Sequence, residues 1–142
     1  MNRIICNPID LPYRYQDMVV PDFARVVCRE GADPSLVRYR GRYYLFVSMS
    51  GGFWHSLDLA SWEFVATPGL PILDYAPDVR EVDGALVFTA SHHGTPCSFW
   101  RTTDRLSGEF EELPGTFPFW DPCLFQDDDG RVRDAIQGAR QT

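Results

Sequence analysis

The sequence contains no lysine, no pair of cysteines spaced C-x-x-C, and no long run of apolar residues. A membrane-spanning helix needs about 20 such residues, so we expect no membrane association. All 13 basic residues are arginine, and 20 acidic residues give a net charge of −7, which disfavours nucleic acid as a partner. Without a C-x-x-C pair, neither a zinc ribbon nor a thiol redox motif is indicated, and we expect no metal and no cofactor.

The four cysteines are widely and irregularly spaced, at Cys6, Cys28, Cys97 and Cys123. The first residues turn polar at once and do not have the pattern of a signal peptide. Together these features predict reduced, structural cysteines in a cytoplasmic protein.

Turn-forming residues and aromatic residues are abundant. The chain has 11 glycines and 11 prolines, and 14% of its 142 residues are aromatic. So many turn signals favour many short strands over long helices. The length taken alone is that of a single domain.

Three segments repeat with a period of about 45 residues, at 33–47, 76–90 and 121–132. Each has a start containing Asp and Pro, an apolar strand, and a turn that ends in Gly41, Gly84 or Gly130. A second pair of similar segments, 55–64 and 101–110, is interpreted as strand, turn and strand. In these turns Asp58 and Asp104 are predicted to accept backbone N–H groups.

Each repeat therefore holds four short strands, which is typical of a β-propeller blade. We predict strands at 36–39, 42–48, 53–56 and 62–65, then at 79–82, 85–91, 98–103 and 109–113. The predicted fold class is all-β, an incomplete propeller of about two and a half blades. Residues 1–31 form an N-terminal extension, 32–132 form blades, and 133–142 are an atypical tail that we attribute to truncation or a frameshift.

The first strand of a propeller blade is the innermost, and its start lies at the mouth of the central channel. By this topology Asp33, Asp78 and Asp121 lie around one mouth. The loops 49–52 and 92–96 are expected to overhang it. Three carboxylates from different blades are an arrangement that acid–base chemistry can use.

Several motifs together resemble glycoside hydrolase family 43: Ala32-Asp33-Pro34-Ser35, Gly41–Phe46, Trp54–Glu63 and Tyr75–Val79. The resemblance implies a five-bladed propeller that hydrolyses β-xylosides and α-L-arabinofuranosides with inversion. It implies that Asp33 is the general base and that Asp78 raises the pKa of the general acid and orients it. The acid of the family is a glutamate on a later blade, and none of the six glutamates occupies that position.

Aromatic platforms suit the apolar faces of sugars. Trp54, Phe119 and Trp120 are candidates, and Asp121 and His92 are candidates for hydrogen bonds to sugar hydroxyls. For each aromatic residue, packing between blades is the alternative. For Asp121 the alternative is a structural role, and for His92 a solvated loop position.

Three functions remain open. The first is a fragment of an inverting glycosidase of xylo- or arabino-oligosaccharides, which by itself should have little or no activity. The second is a non-catalytic propeller module that binds glycans or a protein partner. The third is a half-propeller that a second chain completes by self-association through open blade edges.

Overall fold

The computed structural model describes residues 9, 11, 16–19, 25–28, 31–70, 75–91, 98–104, 106–113, 121–129 and 132–135. Within these ranges the chain forms strands and turns, which confirms the all-β prediction. No helix in this part of the chain is long and apolar enough to cross a membrane.

The described residues form twelve strands, in two four-stranded and two two-stranded antiparallel sheets. The first sheet is a hairpin of β1 (Gln16–Val19) and β2 (Arg25–Cys28). Blade one contains β3 (Ser35–Tyr39), β4 (Arg42–Phe46), β5 (Gly52–Ser56) and β6 (Glu63–Ala66). Blade two contains β7 (Tyr75–Val82), β8 (Ala85–Ser91), β9 (Phe99–Thr102) and β10 (Glu111–Leu113). A third unit consists of β11 (Cys123–Gln126) and β12 (Val132–Ala135).

In both complete blades the strands pair in sequence order, and this meander is the blade that the repeat predicted. Strand β7 begins earlier than predicted, at Tyr75. Its pairing with β8 continues past Asp78 to Tyr75 through a register shift between these two residues. Pro77 has no N–H to donate at this point. Strand β12 extends to Ala135 and so continues into the segment assigned to the tail. The domain boundaries stay predictions.

The turns follow the predicted chemistry. Arg40 and Gly41 have φ of 45° and 81°, and Asp83 and Gly84 have φ of 47° and 74°. Two consecutive left-handed residues are typical of a type I′ hairpin, which joins the first two strands of each blade. The third turn glycine, Gly130, lies outside the described residues.

The turn between the last two strands of each blade is also confirmed. Asp58 Oδ1 accepts the N–H groups of Ala60 at 2.9 Å and Ser61 at 2.8 Å. In blade two Asp104 Oδ1 accepts the N–H of Leu106 at 3.2 Å. The carboxylates satisfy backbone donors that the turn leaves without a strand partner.

The main core lies between blades one and two. Strand β4 points Tyr44 and Phe46 to this side, where the ring centroid of Phe46 lies 5.2 Å from that of Phe88 in the next blade. The intervening Leu45 and Val47 face the opposite side of the sheet, as the two-residue period of a strand requires. The side chains of β5 and of the second half of β4 are therefore buried on both faces of blade one, and β3 lies against β7 of the next blade.

Candidate active site

The first strands of successive units lie side by side. Strand β7 contacts both β3 and β11, so the N-terminal ends of the three strands meet at one end of the molecule. An open groove at this end is lined by the residues that begin each unit. These residues are Asp33, Pro34, Ser35, Leu36, Ala76, Pro77, Asp78, Arg80, Asp121, Pro122 and Cys123. The groove brings together the three aspartates that the blade topology placed at one mouth.

Asp33, Ala76 and Asp121 occupy the same repeat position, each directly before a proline. Their φ angles are 50°, 49° and 49°, all in the left-handed region. Asp adopts this conformation more readily than Ala because its short polar side chain can bond locally. Since Ala76 shares the conformation, the bend belongs to the start of every blade. The carboxylates of Asp33 and Asp121 are therefore not needed for this backbone conformation.

Asp33 is exposed in the groove, and its carboxylate has a buried partner. The Ser48 hydroxyl donates to Asp33 Oδ2 at 3.0 Å, and Ser48 Oγ in turn accepts the N–H of Ala76 at 3.0 Å. Blade two repeats the second contact, because Ser91 Oγ accepts the N–H of Asp121 at 2.8 Å. A serine after the second strand of each complete blade thus holds the start of the next unit.

Asp78 differs from the other two aspartates because its side chain is buried. Its Oδ1 accepts the Ser35 hydroxyl at 2.7 Å and the N–H of Val79 at 3.0 Å. Its Oδ2 accepts the N–H of Leu124 at 2.7 Å. The carboxylate therefore connects the first strands of three units. In this role Asp78 corresponds to Ser35, whose Oγ accepts the N–H of Val79 at 3.1 Å.

Arg80 supplies the positive charge beside this carboxylate. Its Nε donates to the carbonyl of Leu124 at 2.9 Å, and its Nη2 lies 3.4 Å from Asp78 Oδ2. The guanidinium is half-exposed, so it offsets part of the negative charge on the groove wall.

The remaining predicted site residues are placed as follows. Asp121 is exposed in the groove. Trp54 is 1% exposed and packs edge-on against Phe64 with ring centroids 4.9 Å apart, which is the packing alternative to sugar binding. His92, Phe119 and Trp120 lie outside the described residues, and their predicted contacts stay predictions.

The loop 49–52 does not line the groove. It turns inward, with Met49 and Ser50 buried, and lies against Leu70 and against Pro77 of blade two. A Cβ on Gly52 would lie 2.2 Å from the carbonyl oxygen of Val65, so only glycine fits this approach. The loop fills the junction between the blades instead of overhanging the mouth.

Among the glutamates that the structure describes, none lines the groove. In the same part of the chain, no three His, Cys, Asp or Glu side chains converge closely enough to hold a metal ion. The chemistry that the groove offers is therefore that of exposed carboxylates beside one arginine.

Ser48 is the site residue that sequence reasoning missed. The signal was present, because Ser48 and Ser91 occupy the same position in the two repeats, directly before the loop that follows the second strand. The same alignment paired Asp78 with Ser35 and left Ala76 opposite Asp33, which identifies Asp78 as the exception among the three aspartates.

No protein-family model matches the chain, and no curated protein matches it significantly. Solved structures do. A bifunctional GH43-CE protein of Bacteroides eggerthii superposes with a TM-score of 0.64 at 17% identity, over 76% of this chain and 18% of that chain. A xylan β-1,4-xylosidase from Bacillus halodurans C-125 gives a TM-score of 0.55 at 26% identity, over 72% of this chain and 24% of that chain.

An exo-1,5-α-L-arabinanase from a bovine ruminal metagenomic library gives a TM-score of 0.56 at 20% identity, over 73% of this chain and 45% of that chain. The chain has the fold of a family-43 glycoside hydrolase. It spans less than half the length of each of these neighbours. The described residues contain two four-stranded blades and a two-stranded third unit of this fold, with the groove at the blade starts.

Proposed function

We propose that this chain is part of an inverting glycoside hydrolase that cleaves xylo- or arabino-oligosaccharides, with Asp33 as the general base. The observation that carries the proposal is the exposed Asp33 carboxylate, oriented by Ser48, in the groove where the three blade starts meet. The named activities of the neighbours, a xylosidase and an arabinanase, support the substrate class.

The base removes a proton from a water molecule as that water attacks the anomeric carbon. An exposed carboxylate suits this task because it is open to both water and sugar. Inversion also needs a carboxylic acid that protonates the leaving oxygen. No glutamate among the described residues lines the groove, so we infer that the acid comes from a later blade, as the family resemblance implies.

The role of Asp78 as modulator of that acid stays a prediction, and its contacts favour a different assignment. Its buried carboxylate is engaged by Ser35, Val79 and Leu124, which makes it a link between strands. Asp121 has the repeat position of Asp33 and is exposed in the groove. We therefore assign to Asp121 the second charge that faces the substrate.

The test compares two leaving groups. A 2,4-dinitrophenyl glycoside needs no proton from the enzyme, whereas a methyl glycoside or a natural disaccharide does. We expect the chain to release dinitrophenol from the xyloside or the arabinofuranoside and to leave the methyl glycosides intact. Equal, slow release from both substrate types, unchanged in Asp33→Asn, would contradict the proposal.

A non-catalytic glycan-binding module is the second candidate, and the groove without a described glutamate favours it. This candidate predicts saturable binding of xylo- or arabino-oligosaccharides without hydrolysis of the dinitrophenyl glycoside. Calorimetric titration beside the hydrolysis assay separates the two functions, since only a catalytic site consumes its ligand.

We also propose self-association through the incomplete third unit. Phe125 on β11 is 42% exposed, and the β11–β12 hairpin offers strand edges that another chain can pair with. Sedimentation velocity tests this: a concentration-dependent dimer is expected, and a strict monomer at all concentrations contradicts it.

A further inference from the structure

Ser48 is fully buried two residues after β4 ends. Its polar atoms bond to the residues that begin blade one and blade two. Its N–H donates to the carbonyl of Ala32 at 3.0 Å, which fixes the backbone directly before Asp33. Its Oγ accepts the N–H of Ala76 at 3.0 Å and donates to Asp33 Oδ2 at 3.0 Å. One residue therefore ties the start of blade two to the Asp33 carboxylate.

These contacts determine where the hydroxyl hydrogen points. A serine hydroxyl carries one hydrogen, which rotates to suit its surroundings. The N–H of Ala76 occupies a lone pair of Oγ, so the hydrogen is directed to the carboxylate. Hydrogen bonds in such a chain polarise one another, which strengthens the donation to Asp33. The bond engages Oδ2 of the exposed Asp33 carboxylate, which lines the groove.

Blade two has the contact from serine to backbone N–H but lacks the contact from serine to carboxylate at the position of Asp33. Ser91 Oγ accepts the N–H of Asp121, just as Ser48 Oγ accepts the N–H of Ala76. The residue of blade two that corresponds to Asp33 is Ala76, which has no carboxylate. The link from hydroxyl to N–H is thus part of the blade scaffold, and the link from hydroxyl to carboxylate is specific to blade one.

We propose that Ser48 is the positioning residue for Asp33, holding its carboxylate in one rotamer that presents it to the attacking water. The catalytic meaning of this role rests on the proposed function, in which Asp33 is the base. The positioning itself rests on the contacts of Ser48 alone.

The deciding experiment measures side-chain couplings of Asp33 by NMR in the full chain. Wild type is expected to show one χ1 rotamer, and Ser48→Ala is expected to show averaged couplings because the exposed side chain loses its donor. Ser48→Thr retains the hydroxyl and is expected to restore the single rotamer. Ser91→Ala is the matched control, since it removes the same scaffold bond in blade two and is expected to leave the Asp33 couplings unchanged.

A single Asp33 rotamer in Ser48→Ala would overturn the proposal, and so would averaging in Ser91→Ala to the same extent. Hydrolysis of the dinitrophenyl glycoside gives a second measurement. Ser48→Ala is expected to lower kcat about 10- to 100-fold with KM little changed, since a misplaced base slows the reaction more than it weakens binding. If wild type hydrolyses nothing, the proposed function fails, and the NMR couplings still decide the role of Ser48.

Discussion

Blades one and two have the same four-stranded meander but different residues at the position that meets the groove. Both begin with a left-handed residue before a proline. Both also have a serine, Ser48 or Ser91, at or just after the end of the second strand, and it accepts an N–H of the next unit. In blade one the left-handed residue is Asp33, whereas in blade two it is Ala76. Under the proposed function, activity therefore depends on single side chains placed on a repeated scaffold.

The links between units differ in the same way. Ser35 connects blade one to blade two with a neutral hydroxyl, whereas Asp78 connects blade two to the third unit with a carboxylate. Ser35 also donates to Asp78, so the two links form one continuous network. The buried carboxylate of Asp78 thus joins the units, whereas the carboxylate of Asp33, two residues earlier in the repeat, is exposed in the groove.

The largest expected effect is on catalysis. Asp33→Asn should lower hydrolysis of the dinitrophenyl glycoside by about 10²- to 10⁴-fold, the usual contribution of a general base. Asn keeps an acceptor for Ser48 and tolerates the left-handed backbone, so the stability of the fold should change little. The matched control is Asp83→Asn, which changes another exposed, left-handed aspartate with φ of 47° at the opposite end of blade two. Equal losses in both variants would remove Asp33 from the mechanism.

The next effect concerns stability and the two links. Asp78→Ala should lower the free energy of unfolding by about 3 kcal/mol, because the Ser35 hydroxyl and two backbone N–H groups lose their buried acceptor. Ser35→Ala should cost about 1 kcal/mol, since it removes a neutral hydroxyl. Urea denaturation measures both values. If Ser35→Ala proves the costlier change, the carboxylate is not the main link.

A smaller difference is expected between the turns of the two blades. The N–H groups of Ser61 and Ala60, and then the Ser56 hydroxyl, lower the pKa of Asp58 below its ordinary value of 3.8. Asp58 therefore stabilises the fold above about pH 4, and this contribution is lost as pH falls through the lowered pKa. Asp58→Ala should lower Tm more than Asp104→Ala at pH 7, with the difference disappearing in strong acid. A difference that persists at low pH would exclude the carboxylate as its cause.

The smallest effect concerns His55, which blade two replaces with Arg101. The buried ring lies 2.8 Å from an Arg42 guanidinium nitrogen. Burial and then Arg42 lower the pKa of His55 below 6.5, against the opposing charge of Glu63. The unfolded chain binds the proton more readily, so stability should fall as pH drops below 6.5 towards the lowered pKa. Thermal melts of wild type and His55→Gln from pH 7 to pH 5 test this, and parallel curves would contradict it.

Much of the fold was predictable because the local signals repeat. Gly41 and Gly84 mark hairpins whose backbone needs positive φ, and Asp58 and Asp104 mark turns that need a carboxylate acceptor. Each signal acts over a few residues and can be recognised in a single copy. Their recurrence at one period then identified the blade as the unit of the fold.

The site was less predictable because its contacts join residues from different repeats. The alternation along β7 does not reveal that Asp78 meets Ser35 and the backbone of Leu124. Likewise, Ser48 meets Asp33 within one repeat, but the Ala76 N–H that Ser48 accepts comes from the next blade. Trp54 is an aromatic residue of the kind that can stack on a sugar, but the packing of β5 buries it in the core.

The direction of the serine contacts has a consequence for synthesis. Ser48 accepts the N–H of Ala76 at the start of blade two, and Ser91 accepts the N–H of Asp121 at the start of the third unit. Each acceptor therefore precedes its donor in the chain. A blade that has left the ribosome can close its own four strands, since they pair in sequence order. It then presents a finished docking point before the following unit is translated. Assembly can proceed from the N-terminus one blade at a time, without waiting for residues that are still to be made.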